Sequence, residues 1–430
     1  MGVRRPGRVR ATFTVPPDKS ISHRALIFNA IASGTARLEN VLDSADVRAT
    51  AACLGALGVK IDWPPGSTGA TIRGSQLQGL MEPHGPLDCG NSGTSIRLLA
   101  GLLAAQPFLS VLSGDQSLNA RPMARVIEPL AKMGAHVLGR CRDTLPPIVL
   151  RGGALRGISH DAPVASAQVK TALMLASLYA DGPTKLGEPS PSRDHSERML
   201  GEMGVEIGHD VEGRLEVFPA ERLDPLPVKV PGDFSSAAPW LVLGACHPDA
   251  EIRLIGVNIN PTRTGLLDVM RAMGANVETS EERTVGGEPV ADLVASSSDL
   301  VGIEVAGADI PRTIDELPFV GLLGAFADGA TVVRDAEELR TKESDRVDAT
   351  ASVLGAMGVE MLAADDGFSV HGGKLKGGRV DAGGDHRIGM LAGVAGALAD
   401  GETSVDNDAV GVSYPTFWRD LHAAGAGKAS

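Results

Sequence analysis

Pro16-Pro17-Asp18-Lys19-Ser20-Ile21-Ser22-His23-Arg24 places a polar, charged cluster directly ahead of a run of small apolar residues. The two prolines fix an extended entry and forbid an earlier helix start, so the cluster reads as the head of a helix. Five further segments share this form: Asn91-Ser92-Gly93-Thr94-Ser95-Ile96-Arg97, Ser166-Ala167-Gln168-Val169-Lys170, Asp233-Phe234-Ser235-Ser236, Ile314-Asp315-Glu316 and Asp385-His386-Arg387. The heads recur roughly every seventy residues, a period that marks an internal repeat. The first N–H groups of a helix are unpaired and its dipole is positive there, so each head is a ready anion site. Six of them, several holding Lys or Arg, point to a small, multiply charged anion.

A second signature interleaves with the first. Leu57-Gly58-Val59-Lys60-Ile61, Met133-Gly134-Ala135-His136-Val137, Met203-Gly204-Val205-Glu206-Ile207, Met273-Gly274-Ala275-Asn276-Val277 and Met357-Gly358-Val359-Glu360-Met361 each end a helical run with a glycine stop and begin an alternating strand. The apolar spacing Val126, Leu130, Met133 is that of an amphipathic helix, and glycine after the last apolar residue predicts a left-handed cap. A weaker sixth copy spans 418–425. The unit is therefore a polar-headed helix, a strand, an amphipathic helix and a strand, with further short strands between. This predicts an α/β fold of two domains, each of three repeated units.

The Pro-rich stretch Leu226-Pro227-Val228-Lys229-Val230-Pro231-Gly232 follows the third unit and marks a boundary. One domain is expected over 18–230 and the other over 1–17 plus 231–430. Crossings near Pro16-Pro17 and Pro231-Gly232 would form a hinge.

The chain has 430 residues, 43% hydrophobic and 22% charged, with a formal net charge of −13. That balance argues against nucleic-acid binding, which depends on basic surface. It does not exclude anionic small ligands, because local fields in a cleft decide those. No run approaches the apolar length of a membrane span, and the basic start has no hydrophobic stretch behind it, so a cytoplasmic protein is expected. Cys53, Cys89, Cys141 and Cys246 are far apart, without CxxC or mixed Cys/His spacing, and read as free thiols. No structural metal and no cofactor are expected.

Taken singly, each head also fits an ordinary capped helix start with solvated charges. Together they supply counter-charges for an anion: Lys19, Arg24, Arg121, Lys170, Arg193, Lys342, Arg346 and Arg387. The glycines around Asn91-Ser92-Gly93 let backbone N–H groups approach a ligand, although the spacing is not that of a P-loop. Asp315 and Glu343 are carboxylates able to move protons. With no nucleophile set, the chemistry left is proton transfer and electrostatic stabilisation on phosphorylated or carboxylated substrates.

Seven segments carry a family resemblance: PPDKSISHRALIFNAIASG (16–34), DCGNSGTSIRLL (88–99), NARPM (119–123), ASAQVKTALMLASL (165–178), IDELPFV (314–320), RTKESDR (340–346) and GGDHRIGM (383–390). In this order they resemble the 5-enolpyruvylshikimate-3-phosphate synthase family, a match that runs over nearly the whole chain. Each motif alone is weak to moderate, whereas seven in sequence are specific. The resemblance implies two domains of three βαβαββ-type units with the substrate cleft between them. It implies transfer of the enolpyruvyl group of phosphoenolpyruvate to the 5-hydroxyl of shikimate 3-phosphate, with release of phosphate, on the route to chorismate and the aromatic amino acids.

The same resemblance implies the site. Lys19, Ser20 and Arg24 contact shikimate 3-phosphate, with Lys19 also touching phosphoenolpyruvate. Gly93 and Arg121 contact phosphoenolpyruvate. Ser166 and Gln168 hold the phosphorylated ring, with Gln168 also reaching phosphoenolpyruvate, and Arg193 meets the ring's phosphate. Lys342 neighbours shikimate 3-phosphate, while Arg346 and Arg387 clamp phosphoenolpyruvate. Asp315 is the expected base and Glu343 the expected acid, with Lys19 a partner for either. A ligand-driven closure of a monomer is expected, since an empty cleft holds unpaired cations apart. Gly93 leaves room for phosphoenolpyruvate and its analogue glyphosate, so glyphosate inhibition is expected.

Three departures from some family members stand out. Ala167 replaces a serine, no Tyr lies in Ser192-Arg193-Asp194-His195, and no Lys precedes Tyr414-Pro415. Two other readings compete. An enolpyruvyl transferase acting on a UDP-amino sugar resembles this fold but uses Lys-Asn where Lys19-Ser20 stands, and commonly a loop Cys absent from 113–120. A non-catalytic anion-binding protein on the same scaffold would not need both Asp315 and Glu343.

Overall fold

The computed structural model describes residues 1–406 and 409–426. All six heads open helices: Lys19–Ala30, Gly93–Leu103, Ala167–Ser177, Phe234–Cys246, Leu317–Gly324 and His386–Leu398. Five start on a side-chain cap, in which Asp18, Ser92, Ser166, Asp233 or Asp385 accepts from a backbone N–H of the first turn. The helix Leu317–Gly324 has no such cap, because the Glu316 carboxylate before it is turned to Ser235 and Arg387 instead. These inner helices are apolar on nearly every side, and Phe234–Cys246 and Leu317–Gly324 are buried throughout.

The second helix of each repeat is amphipathic and covers the outside. Ala45–Ala56, Ala124–Lys132, His195–Glu202, Gly265–Ala272 and Arg346–Ala356 end at Gly58, Gly134, Gly204, Gly274 and Gly358, all with φ between +86° and +106°. The N–H of the next residue returns to the helix in each case, as from Val59 to the Leu54 carbonyl at 3.1 Å and from Ala275 to that of Met270 at 2.8 Å. This is the six-to-one closure of a left-handed glycine stop. Phe417–Leu421 takes the corresponding place in the sixth repeat and ends near Gly425, φ +98°.

Among the described residues, five four-stranded sheets and one three-stranded sheet carry the helices. In the second repeat, Leu87–Asp88 runs parallel to Leu109–Ser113, which pairs antiparallel with Leu145–Arg151, which pairs antiparallel with His136–Gly139. The third and fifth repeats follow the same order. The first repeat borrows its parallel strand, Val228–Lys229, from the far end of the third, against Thr35–Glu39. The fourth borrows Val9–Phe13, parallel to Ala250–Asn258. In the sixth, Glu402–Asp406 lies parallel to Arg379–Asp381, and the chain's first strand, Gly2–Arg4, completes the sheet antiparallel. Each group of three repeats is thus closed by a strand remote in sequence.

Contacts divide the chain into two compact units. One comprises Met1–Pro16, Pro231–Arg283 and Pro289–Ser430, and the other Pro17–Val230 with Thr284–Glu288. Each unit has its own hydrophobic core. The five residues 284–288 were not singled out by the sequence. They group with 17–230 because Glu288 meets His195 at 2.8 Å in a buried pair and Val285 packs on that unit's core. In the same unit, helix Gly93–Leu103 lies so close to Ala167–Ser177 that a Cβ on Gly101 would stand 2.0 Å from the Ala172 carbonyl oxygen. That approach brings two of the heads side by side.

Candidate active site

Within the 17–230 unit, the heads converge through their own side chains. Arg24 is 2% exposed and donates to Ser196 Oγ and Thr171 Oγ1, both at 2.8 Å, and to the Ser20 carbonyl at 3.0 Å. Burial lowers its pKa to about 10, partly offset by Glu197 and Asp18, so it stays charged at neutral pH. Its hydrogen bonds go to neutral oxygens, while Glu197, Asp18 and Glu288 lie near enough to favour its charged form. Lys19 pairs with Asp46. His23, beside both cations, is held well below the usual imidazole range by burial and then by Lys19 and Arg24, and is neutral. A buried hydroxyl chain ties the first two heads, from His23 Nδ1 to Thr50 Oγ1 at 2.8 Å, Thr50 to Ser95 at 2.6 Å and Ser95 to Ser92 at 2.7 Å.

The second and third heads meet across Gln168. Its carbonyl accepts from Arg97 Nη1 at 2.9 Å and its amide donates to Thr94 Oγ1 at 3.0 Å. Arg97 also reaches the Gly93 carbonyl at 3.1 Å, and Arg121 donates to Asn91 Oδ1 at 2.5 Å. A Cβ on Gly93 would lie 2.6 Å from Arg97 Nη1 and 3.2 Å from Arg121 Nη1. Gly93 and Gln168 therefore lie beside the guanidinium groups of Arg97 and Arg121. Burial, then Arg121 and Arg125, lower the Arg97 pKa to about 10. Arg97 stands outside the expected set of contacts. Its signal was its place one turn into a glycine-headed helix.

Lys170 departs from expectation. It is not an open counter-charge, since its ammonium pairs with Glu188 at 3.1 Å and Glu197 at 2.6 Å. Glu188 in turn accepts from the Ser166 N–H at 3.0 Å and from Ser192 Oγ at 2.8 Å, next to Arg193.

In the other unit, Asp315 and Glu343 join Arg346 and Arg387 in one cluster. Asp315 reaches Arg346 Nη1 at 3.4 Å with one oxygen and Arg387 Nη2 at 3.3 Å with the other. Glu343 meets Arg346 Nη2 at 2.6 Å, and the buried Asp385 takes Arg346 Nε at 2.9 Å while capping the His386–Leu398 helix. Arg346 is 1% exposed, with each of its three nitrogens on a carboxylate. Arg387 is also held by Glu316 at 3.4 Å.

The fourth head is drawn into the same mesh. Ser235 donates to Glu316, and Arg263 bonds Ser235 Oγ at 2.6 Å and Asp233 Oδ1 at 3.1 Å. Asp233 follows directly on the crossing at Val230–Pro231 and also braces the fifth head. Lys342 points elsewhere and pairs with Glu338.

Charge sets the protonation of this cluster. Nearly half of the Glu343 side chain is exposed; partial desolvation pushes its carboxyl up, but Arg346 and Arg387 outweigh that and hold it below its usual range. The same contest, won by Arg346, holds Asp385 down. His386 is lowered to about 4 by burial and by Arg387 and Arg346, against the pull of Glu343 and Asp385. The cluster at neutral pH is therefore carboxylates on guanidinium groups, with a neutral imidazole beside them. Among the described residues, no group of three or more His, Cys, Asp or Glu side chains could hold a metal ion.

The family model of EPSP synthase (3-phosphoshikimate 1-carboxyvinyltransferase) matches residues 3–421. The 3-phosphoshikimate 1-carboxyvinyltransferase of Herpetosiphon aurantiacus is 49% identical over 416 residues, covering 96% of both chains. A solved EPSP synthase from Acinetobacter baumannii superposes with a TM-score of 0.90 at 39% identity, over 99% of this chain and 98% of that one. The enolpyruvyl transferase NikO from Streptomyces tendae matches with a TM-score of 0.79 at 19% identity, over 99% of this chain and 97% of that one, a likeness of fold alone.

Proposed function

The chain belongs to the EPSP synthase (3-phosphoshikimate 1-carboxyvinyltransferase) family and is a transferase, and from that premise we propose how its residues divide the reaction. The substrates are phosphoenolpyruvate and shikimate 3-phosphate. A base removes the proton of the ring 5-hydroxyl, whose oxygen attacks C2 of phosphoenolpyruvate while an acid protonates the methylene carbon. The tetrahedral adduct then loses phosphate and one methyl proton, which restores the double bond as an enolpyruvyl ether. Lys19, Ser20, Arg24, Ser166, Gln168 and Arg193 take shikimate 3-phosphate, with Lys342 nearby. Gly93, Arg121, Arg346 and Arg387 take phosphoenolpyruvate.

The observation that carries this reading is Asp315 spanning Arg346 and Arg387. A carboxylate there is a base held by the two cations that would receive the second substrate. Without substrate, the guanidinium groups keep Glu343 ionised. When an anion takes over Arg346 and Arg387, that attraction is shared, the added negative charge disfavours a second anion beside it, and Glu343 becomes able to hold a proton. This supports Glu343 as the acid and gives the proton transfer its order: binding first, protonation second. Arg24, whose hydrogen bonds among the described residues go to neutral oxygens, supports the phosphorylated ring as its ligand. The same reading has the chain act as a monomer in the cytoplasm. Among the described residues no helix is long and apolar enough to cross a membrane.

Phosphate release measured with phosphoenolpyruvate and shikimate 3-phosphate, singly and together, tests the assignment. Release is expected only with both. Turnover with a UDP-amino sugar in place of shikimate 3-phosphate would overturn it, as would binding without any release.

A second expectation concerns Gly93. The place of its missing Cβ is taken up by the Arg97 guanidinium, whose Nη1 would stand 2.6 Å away, with Arg121 Nη1 at 3.2 Å. Gly93→Ala displaces the ends of those flexible side chains and so shifts both guanidinium groups. The KM for phosphoenolpyruvate should rise about tenfold, a cost of about 1.4 kcal/mol, and inhibition by glyphosate should weaken at least as much. An unchanged KM would place phosphoenolpyruvate away from Gly93.

A further inference from the structure

Lys170 poses a physical question. Its side chain is 7% exposed and lies between two carboxylates, Glu188 and Glu197, which are themselves largely buried. Burial lowers its pKa, but Glu197 and Glu188 outweigh that and keep it charged. A buried ion pair gains little over well-packed apolar residues of the same volume, so its use lies in what it orients. Glu188 supplies the answer. Its Oε1 accepts from the Ser166 N–H at 3.0 Å, and its Oε2 accepts from Ser192 N at 3.3 Å and Ser192 Oγ at 2.8 Å. Lys170 adds a bond from its ammonium to the Ser192 carbonyl at 3.3 Å. One carboxylate thus fixes the start of the helix Ala167–Ser177 to the segment that carries Arg193, and one ammonium fixes that carboxylate.

We propose that Lys170, through Glu188, is a positioning residue that holds Ser166 and Arg193 in the spacing needed to grip the ring phosphate of shikimate 3-phosphate. The inference rests on the substrate reading above. Lys170 touches no substrate. Glu197 balances its charge and leaves Glu188 free to hold Ser166 and Ser192. Ala167 lacks the hydroxyl found in some relatives, so more of the grip falls on Ser166 and Arg193, and their spacing matters more.

Steady-state kinetics of Lys170→Met, Lys170→Arg and Glu188→Gln, with each substrate varied in turn, test this. Small misplacements of binding groups cost up to about a hundredfold. Lys170→Met and Glu188→Gln should therefore raise KM for shikimate 3-phosphate by about ten- to a hundredfold, with kcat and KM for phosphoenolpyruvate within about twofold. Lys170→Arg should recover most of the loss. Glu188→Gln keeps the volume and an acceptor for Ser166, so it reports even where Lys170→Met folds poorly. Wild-type turnover combined with equal changes in both KM values, or with a fall in kcat alone, would overturn the positioning role. Failure of the wild-type chain to bind shikimate 3-phosphate in calorimetry would instead overturn the substrate reading beneath it.

Discussion

Asp315→Asn is expected to lower kcat by about a thousandfold, within the 10²–10⁴ range typical of a lost general base, while shikimate 3-phosphate still binds. Asparagine keeps the size and one acceptor oxygen of the side chain. It cannot accept a proton at neutral pH, and it removes a negative charge that both Arg346 and Arg387 face at 3.4 and 3.3 Å. The second effect predicts a distinctive split. With less competition for the two guanidinium groups, phosphoenolpyruvate should bind no worse than in the wild type, so KM for it holds or falls as kcat collapses. Rates of phosphate release and calorimetric affinities for both substrates measure the two effects separately. A kcat within about tenfold of the wild type would remove Asp315 from proton transfer and leave it as a brace for the arginines.

The heads and the glycine stops were legible because both are local. A cap needs only Asp or Ser a few residues from the N–H it accepts, and a left-handed stop needs glycine at one position. Hence Asp18, Ser92, Ser166, Asp233 and Asp385 could be read as helix starts, and Gly58, Gly134, Gly204, Gly274 and Gly358 as helix ends. Closure of the sheets was not legible. Gly2–Arg4 against Glu402–Asp406, and Val228–Lys229 against Thr35–Glu39, are short strands whose partners lie far along the chain. Nothing in three residues such as Gly2-Val3-Arg4 says which edge they will take.

Charge was legible in kind but not in pairing. Lys170 and Arg24 are both basic residues near helix starts, and only the fold puts Lys170 between two acids while leaving Arg24 on neutral oxygens. The fourth head shows the same limit. Asp233-Phe234-Ser235 suggested a place beside the hinge, and its second role, holding Arg263 and Glu316 behind Arg387, depends on residues up to the fifth repeat.

Arg346→Met is expected to have the largest combined effect on stability and catalysis. The wild-type guanidinium satisfies Asp385 through Nε at 2.9 Å, Glu343 through Nη2 at 2.6 Å and Asp315 through Nη1 at 3.4 Å. Methionine fills the space and takes the Arg346 charge away from Asp385, itself fully buried, whose bonds from Ser344 and the Arg387 N–H remain. Breaking a buried pair from one side costs about 3–5 kcal/mol, or about 10 °C in the melting of a domain of this size. The loss should depend on pH with a definite sign. In the wild type, Asp385 has a depressed pKa, since Arg346 outweighs burial. Its contribution is therefore present above the ordinary carboxylate pKa and is lost as pH falls through the lower folded value. In the variant, burial acts with much less opposition, the folded carboxyl binds a proton more readily, and lowering the pH from neutral relieves the charge that Arg346 no longer offsets. The gap in melting temperature between wild type and Arg346→Met should be widest near pH 7 and narrow toward pH 4. Catalysis should fall by about 10²–10³ in kcat/KM for phosphoenolpyruvate, the scale for losing one electrostatic contact to a developing charge. A gap in melting temperature that is equal at the two pH values would mean that Asp385 does not depend on Arg346 for its ionisation, and that the cluster draws its charge balance from Arg387.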